Sequence, residues 1–206
     1  MDKFLIDSHK YSFHPGHAST VLNYYKDSEN DVYRSQFKSQ HPLYIEISPV
    51  GACNHRCTFC AVDYIGYKSI FMDFEAYKNS VGGMSGKGCK SIMFAGEGEP
   101  LLHPKITEFV NYTKTCCNID VSFTTNAYKL TEGFVEQCIK NISWIKVSFN
   151  GGDKDTYSRI HQTKESDFDI VSKNIGYAVE YKKRHSLSCA IGLQTLLLPE
   201  NADSMH

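Results

Sequence analysis

The chain has 206 residues, of which 41% are hydrophobic and 22% charged, with a formal net charge of -1. Such proportions describe one ordinary globular domain long enough for a core, and near-neutral charge gives no ground for broad attraction to nucleic acid or an anionic membrane. No apolar run is long enough to span a bilayer, and the start, MDKFLIDSHKYSF, lacks the charged-then-apolar pattern of a secretory signal, so a cytoplasmic location is expected.

Residues 1–42 form an extension rich in His, Tyr, Ser, Asn and Lys, in which Ala18 to Lys26 predicts one short helix. His14 and His17 of FHPGH read as loop residues. From Leu43 to His206 strand and helix signals alternate. LYIEIS (43–48) predicts a first strand, Asp73 to Met84 a helix ended by glycines, and SIMFA (91–95) a second strand. A helix from Pro104 to Thr115 follows, with proline in its first turn. IDVSFT (119–124), a helix from a Thr131 N-cap to Lys140, WIKVSF (144–149), a long amphipathic helix from Asp167 to Arg184 and a fifth strand within LSCAIGLQTLLL complete the series. Lys182, Lys183, Arg184 and His185 suit the negative end of that last helix. Strands and helices in this alternation predict a parallel α/β architecture, an open or partial barrel. Its last βα unit is expected to be missing from the 206 residues.

Eight cysteines in a cytoplasmic protein are expected to be reduced, and a tight cluster of them points to metal. Cys53, Cys57 and Cys60 in GACNHRCTFCA have C-x3-C-x2-C spacing. Three soft thiolates this close can hold three corners of an iron–sulfur cube and leave one iron open. Two alternatives stand beside that reading. The spacing also fits one helix face, where the cysteines would be small buried hydrophobes, although Gly51, Asn54, His55 and Arg56 interrupt any apolar stripe. Zinc is the other, with His55 or a distant residue as fourth ligand of a binding module. Phe59 packs either into the core or over the bound group. Cys89, Cys116, Cys117, Cys138 and Cys189 are scattered and read as buried thiols. The second motif, AGEGEPLLHP (95–104), follows the second strand. Gly96 and Gly98 allow close backbone approach, Pro100 stiffens the turn, and Glu99 is displayed where it can pair with an ammonium group or meet solvent.

These two motifs in this order resemble the radical S-adenosylmethionine superfamily, marked by CxxxCxxC after the first barrel strand and a GGEP-like motif after the second. The resemblance covers Leu43 to Asn201. It implies a (β/α)6 TIM-like barrel and an enzyme. Cys53, Cys57 and Cys60 would hold a [4Fe–4S] cluster, and the open iron would take S-adenosylmethionine. An electron from a flavodoxin- or ferredoxin-like reductant would cleave that cofactor to a 5′-deoxyadenosyl radical, which abstracts hydrogen from a peptide, sugar or other small molecule. Glu99 would bind the methionine ammonium, with Gly98 and Pro100 shaping its loop; Glu97 stands where many members have glycine. FTTNA (123–127) is similar to the TTNG of the branch around molybdenum cofactor biosynthesis protein A and the peptide-modifying maturases. Thr125 and Asn126 there either contact the cofactor or cap a turn, and Ala127 replaces glycine. VSFNGGDKDTYSRIHQT (147–163) is similar to a VSLDG segment followed by Tyr-x-x-Ile-Arg-Gly. Ser148 would face the ribose, Asn150 replaces the common Asp, His161 the Arg and Gln162 the Gly. Gln194 of LQTLLLPEN reaches the cofactor or substrate, or is a satisfied polar residue on a strand. A catalytically silent fragment with the same fold is the third alternative.

Overall fold

The computed structural model describes residues 10–66 and 68–205; the reading of the first residues as lacking a signal concerns a segment mostly outside them. Five strands, β1 Tyr44–Ile47, β2 Ser91–Phe94, β3 Asp120–Thr125, β4 Trp144–Ser148 and β5 Ala190–Gln194, form one sheet in the order β1-β2-β3-β4-β5. Every neighbouring pair is parallel. β1 and β5 are its two edges, so the barrel is partial, as expected.

The register explains the layers. Ile47, Phe94, Phe123, Ile145 and Ile191 run side by side across all five strands, with Ile45, Ile92 and Val121 in the row two residues earlier. Side chains alternate along a strand, so these rows share one face. That face packs on α4 (Phe74–Ser85), α5 (Ile106–Asn111), α6 (Glu132–Cys138) and α8 (Glu165–Arg184) through Val81, Phe109, Val110, Phe134, Val135, Val171 and Ala178. The opposite face carries Glu46, Met93, Ser122, Thr124, Lys146 and Ser148. One side of the sheet is therefore the core, and the other is a polar floor.

The helices start where capping chemistry permits. Asp73 Oδ1 accepts from Ala76 N (2.9 Å), and Thr131 Oγ1 accepts from Phe134 N (3.3 Å). α8 ends in Lys182, Lys183 and Arg184 as expected. Other expectations need correction. The extension folds as two helices, α1 (Pro15–Lys26) and α2 (Asp31–Lys38), joined by Tyr24 stacked on Phe37 at 4.1 Å. The second was hidden by its polarity, but Asn30 Oδ1 caps it by accepting from Val32 N and Tyr33 N. Pro104 precedes α5, because His103 to Ile106 is a turn closed by Ile106 N to His103 O (3.1 Å). α5 also ends early, widening into a π turn at Tyr112–Cys116. There Thr113 and Thr115 hydroxyls donate back to the carbonyls of Phe109 and Asn111. α3 (Ala61–Ile65) is too short to show a period, and α7 (Lys154–His161), with Tyr157, Ile160 and His161 on its buried face, falls inside a motif. Cys116 is exposed, whereas Cys89, Cys117, Cys138 and Cys189 are buried. Among the described residues no helix is long and apolar enough to cross a membrane.

Two non-glycine residues hold left-handed backbone where the resembled pattern has glycine: Ala127 (φ 59°) and Gln162 (φ 48°), the latter closing α7. Left-handed backbone strains a residue with a Cβ by about 1–2 kcal/mol. Gln162 is exposed, so Gln162→Gly removes strain without opening a cavity. Urea unfolding is expected to show stability raised by about 0.5–1 kcal/mol at unchanged m-value.

Candidate active site

The ends of the parallel strands share one rim, and the cysteine loop lies across it. Between β1 and α3 the chain is irregular and has no ladder to join, so its backbone groups bond outward. Gly51 N donates to Ile70 O (2.9 Å), and Ala52 O accepts from Glu99 N (2.9 Å). Arg56 N and Thr58 N donate to the last carbonyls of α7, those of His161 (3.1 Å) and Ile160 (2.9 Å). Asn54 Oδ1 accepts from Asn126 Nδ2 at 2.9 Å. Cys53, Cys57 and Cys60 are each half-buried and precede α3. They do not sit on a helix face as small core residues, so that alternative falls.

The three cysteines line a cleft with Gly98, Glu99, Thr125, Asn126 and Ser148. Eight of the ten expected site residues thus converge, drawn from the ends of four strands. Pro100 is buried behind them at the start of a 3-10 turn. Gln194 is exposed on the edge strand β5 and does not line the cleft. Phe59 lines the cleft at 40% exposure and is not core. The cleft also takes Thr124, His55 and His161, which the sequence reading did not assign to it.

Glu99 corrects an expectation. It is buried, not displayed to solvent. Its Oε1 accepts from Thr125 Oγ1 (2.6 Å) and Leu101 N (3.0 Å), and its Oε2 from Asn126 N (2.8 Å). Burial pushes its carboxyl above the usual carboxylate range, against the pull of those three donors. A carboxylate offers about four acceptor positions; three are taken, and the one left is on Oε2. The depth is set by glycine: a Cβ on Gly98 would overlap the carbonyl oxygens of Val50 and Ala52, and one on Gly96 (φ 106°) would overlap Ser48 Oγ. Only glycine lets this loop press against the cysteine loop.

Cys53 Sγ accepts from His55 N at 3.4 Å. Burial raises the Cys53 thiol, and Glu99 adds to the rise. Cys57 Sγ lies 3.2 Å from His161 Nδ1. Ligand atoms of His55, Cys57 and His161 all lie within 4.8 Å of one another. Burial holds both imidazoles neutral, His55 down at about 4 and His161 at about 3. Neither ring nitrogen of His55 has a hydrogen-bond partner, although the residue is only 1% exposed. An orphaned buried N–H costs about 1–3 kcal/mol, and a bound group bearing acceptor atoms would relieve it. Three half-buried sulfurs, N–H groups aimed at them and an unsatisfied imidazole fit a sulfur-ligated metal group.

A family model of the Radical SAM superfamily matches residues 47–205. Among curated proteins, GTP 3′,8-cyclase of Chlorobaculum tepidum is 30% identical over 156 residues, covering 75% of this chain and 45% of that protein. Among solved structures, Streptococcus suis SuiB bound to the precursor peptide SuiA superposes with a TM-score of 0.62 at 15% identity, over 98% of this chain and 51% of that one. SuiB bound to S-adenosylmethionine gives 0.59 at 17% identity, over 91% and 47%. At these identities the structural likeness is one of fold. The chain spans less than half the length of the curated relatives it matches.

The Thr125–Glu99 bond is testable. Thr125→Val keeps the shape and removes both the donor to Glu99 and the acceptor of Ala127 N (3.0 Å); the bond to the charged group alone is worth about 1.5–3 kcal/mol. The variant is expected to lose about that much stability at pH values where the carboxyl is ionised, above its raised range. Because Thr125 favours the ionised carboxylate, the difference is present above the carboxyl's range and narrows as pH falls through it. Chemical denaturation of both proteins over an acid series checks this.

Proposed function

The chain belongs to the radical SAM superfamily, and from that premise we propose that it is an enzyme that cleaves S-adenosylmethionine and abstracts hydrogen from a peptide, sugar or other small molecule. The superfamily's cluster and cofactor supply a 5′-deoxyadenosyl radical when bound, while the protein binds, orients and shields. Cys53, Cys57 and Cys60 are the ligands of a [4Fe–4S] cluster. Residues 1–42 are an extension to the catalytic core of residues 43–206.

The observation that carries this reading is the convergence, in one cleft, of three sulfurs and a buried carboxylate with one acceptor position left. That position on Glu99 Oε2 suits the methionine ammonium, and a cation there would offset the cost of burying the charge. Thr125 and Asn126 hold the carboxylate; their place is the orienting shell, with Asn126 also tying Asn54 to the rim. Gly98 and Pro100 set the loop's depth and stiffness. Ser148, at the end of β4, faces the cleft and is assigned to the ribose. Gln194 is next to Ser148 in register but exposed on the edge strand, and this assignment gives it no cofactor contact. Radical chemistry of this class needs an electron donor and a substrate; a flavodoxin- or ferredoxin-like protein of the cytoplasm is the donor we assign.

Zinc ligation through His161 is disfavoured by hydrogen bonding. To ligate through Nδ1, His161 would have to move its proton to Nε2, which faces the N–H of Asn150 at 3.2 Å. His55 alone would then complete a set with the cysteines.

Anaerobic reconstitution with iron and sulfide is expected to give a brown protein with about four irons per chain. Under dithionite it is expected to form 5′-deoxyadenosine, and Cys57→Ala to lose cluster and cleavage together. A colourless protein holding a single zinc would replace this reading with the binding module, and a loaded cluster without cleavage would make the chain a silent fragment.

A further inference from the structure

We propose that His161 is a positioning residue for Cys57, locked by Asn150 in the tautomer that donates its Nδ1 proton to the Cys57 sulfur, and that this donor raises the reduction potential of the cluster held there. The first half stands on geometry alone; the second rests on the function proposed above.

His161 is fully buried, and its ring packs against Tyr157 with centroids 4.2 Å apart and planes tilted by 30°. The tautomer follows from what surrounds Nε2. Asn150 N lies 3.2 Å from it, and a backbone N–H can only donate. Asn150 Nδ2 lies at 3.4 Å on the same atom. The amide cannot be turned the other way, because Asn150 Oδ1 accepts from Leu196 N at 2.7 Å. Asn201 fixes that arrangement, donating from Nδ2 to Asn150 O (3.0 Å) and Leu196 O (2.9 Å). With donors on both approaches, Nε2 is an acceptor, and the proton of a neutral imidazole sits on Nδ1. Nδ1 has Cys57 Sγ at 3.2 Å.

A donor aimed at a ligand sulfur stabilises added negative charge. It therefore favours the reduced state of a sulfur-ligated cluster and moves its potential upward. The effect is confined to one ligand of three. An aspartate at position 150 would replace the Nδ2 donor with an acceptor and set it against the backbone N–H that still faces Nε2. Asparagine adds a second donor on that side instead.

Two measurements test this on the full chain. In the metal-free protein above pH 7, nitrogen chemical shifts of the His161 ring are expected to show Nδ1 protonated and Nε2 bare; the reverse overturns the proposal. In the reconstituted protein, His161→Phe keeps the ring packing and removes the donor. At a fixed poise, its oxidised-to-reduced ratio is expected to rise by about tenfold, a shift of about 59 mV downward for one electron. His161→Asn places an amide Nδ2 near the Nδ1 position and is expected to restore most of the potential. An unchanged potential in His161→Phe at full iron content overturns the proposal. So does His161→Asn displaced as far as His161→Phe, since packing would then account for the shift. If His161→Phe fails to fold, His161→Asn and the tautomer decide. If the wild-type chain loads no cluster, the proposed function falls, while the tautomer still tests the His161–Cys57 bond.

Discussion

A stretch of backbone with no ladder of its own must find its hydrogen bonds elsewhere, and the cysteine loop finds them on four different segments. The chain between α3 and α4, the β2–α5 turn, the end of β3 and the last turn of α7 each supply a bond. The loop in turn supplies what those elements lack. A helix leaves its final carbonyls without partners, and Arg56 N and Thr58 N satisfy two of them in α7. These exchanges set the path of the backbone that carries the three sulfurs. Glu99 is held in the same way, its backbone N–H bonded to Ala52 and its carboxylate to β3.

The sheet makes this possible by being two-faced. Its apolar rows are spent on the helices, and the polar floor leads up to the rim where the motifs end. Parallel strands place all such ends on one side, so short segments far apart in sequence become neighbours without long loops. The single acceptor position left on Glu99 is a product of that crowding. It exists because three donors from two elements reach the carboxylate and a fourth does not.

The strands were legible because each is a short β-rich run bounded by turns, and each named motif falls at the end of one. The cysteines and Glu99 were legible by spacing. Burial of Glu99 was not, because it depends on Thr125 and Asn126 folding over it from 26 and 27 residues away in the chain. α7 was hidden because Asp153 caps a helix of only eight residues, whose buried face of Tyr157, Ile160 and His161 is too short a run to establish a period in the sequence. The pairing of His161 with Cys57 left no trace in spacing. The two departures noted in that segment, Asn150 for Asp and His161 for Arg, looked separate in the sequence. In three dimensions they are one unit, since each is suited to the other's hydrogen-bonding needs. Gln194 is the register neighbour of Ser148, yet it stands exposed on the edge strand β5 and does not line the cleft, a difference in burial that strand position alone does not carry.

Cys57 and His161 lie 104 residues apart in the chain. During translation at ordinary elongation rates, about 5–20 s pass between the emergence of the one and of the other. Contacts of such separation form late in folding, after local ones. The nascent cysteine loop therefore waits for a helix that has not yet been made, and its seat on the rim is completed only once α7 has emerged and docked on the sheet.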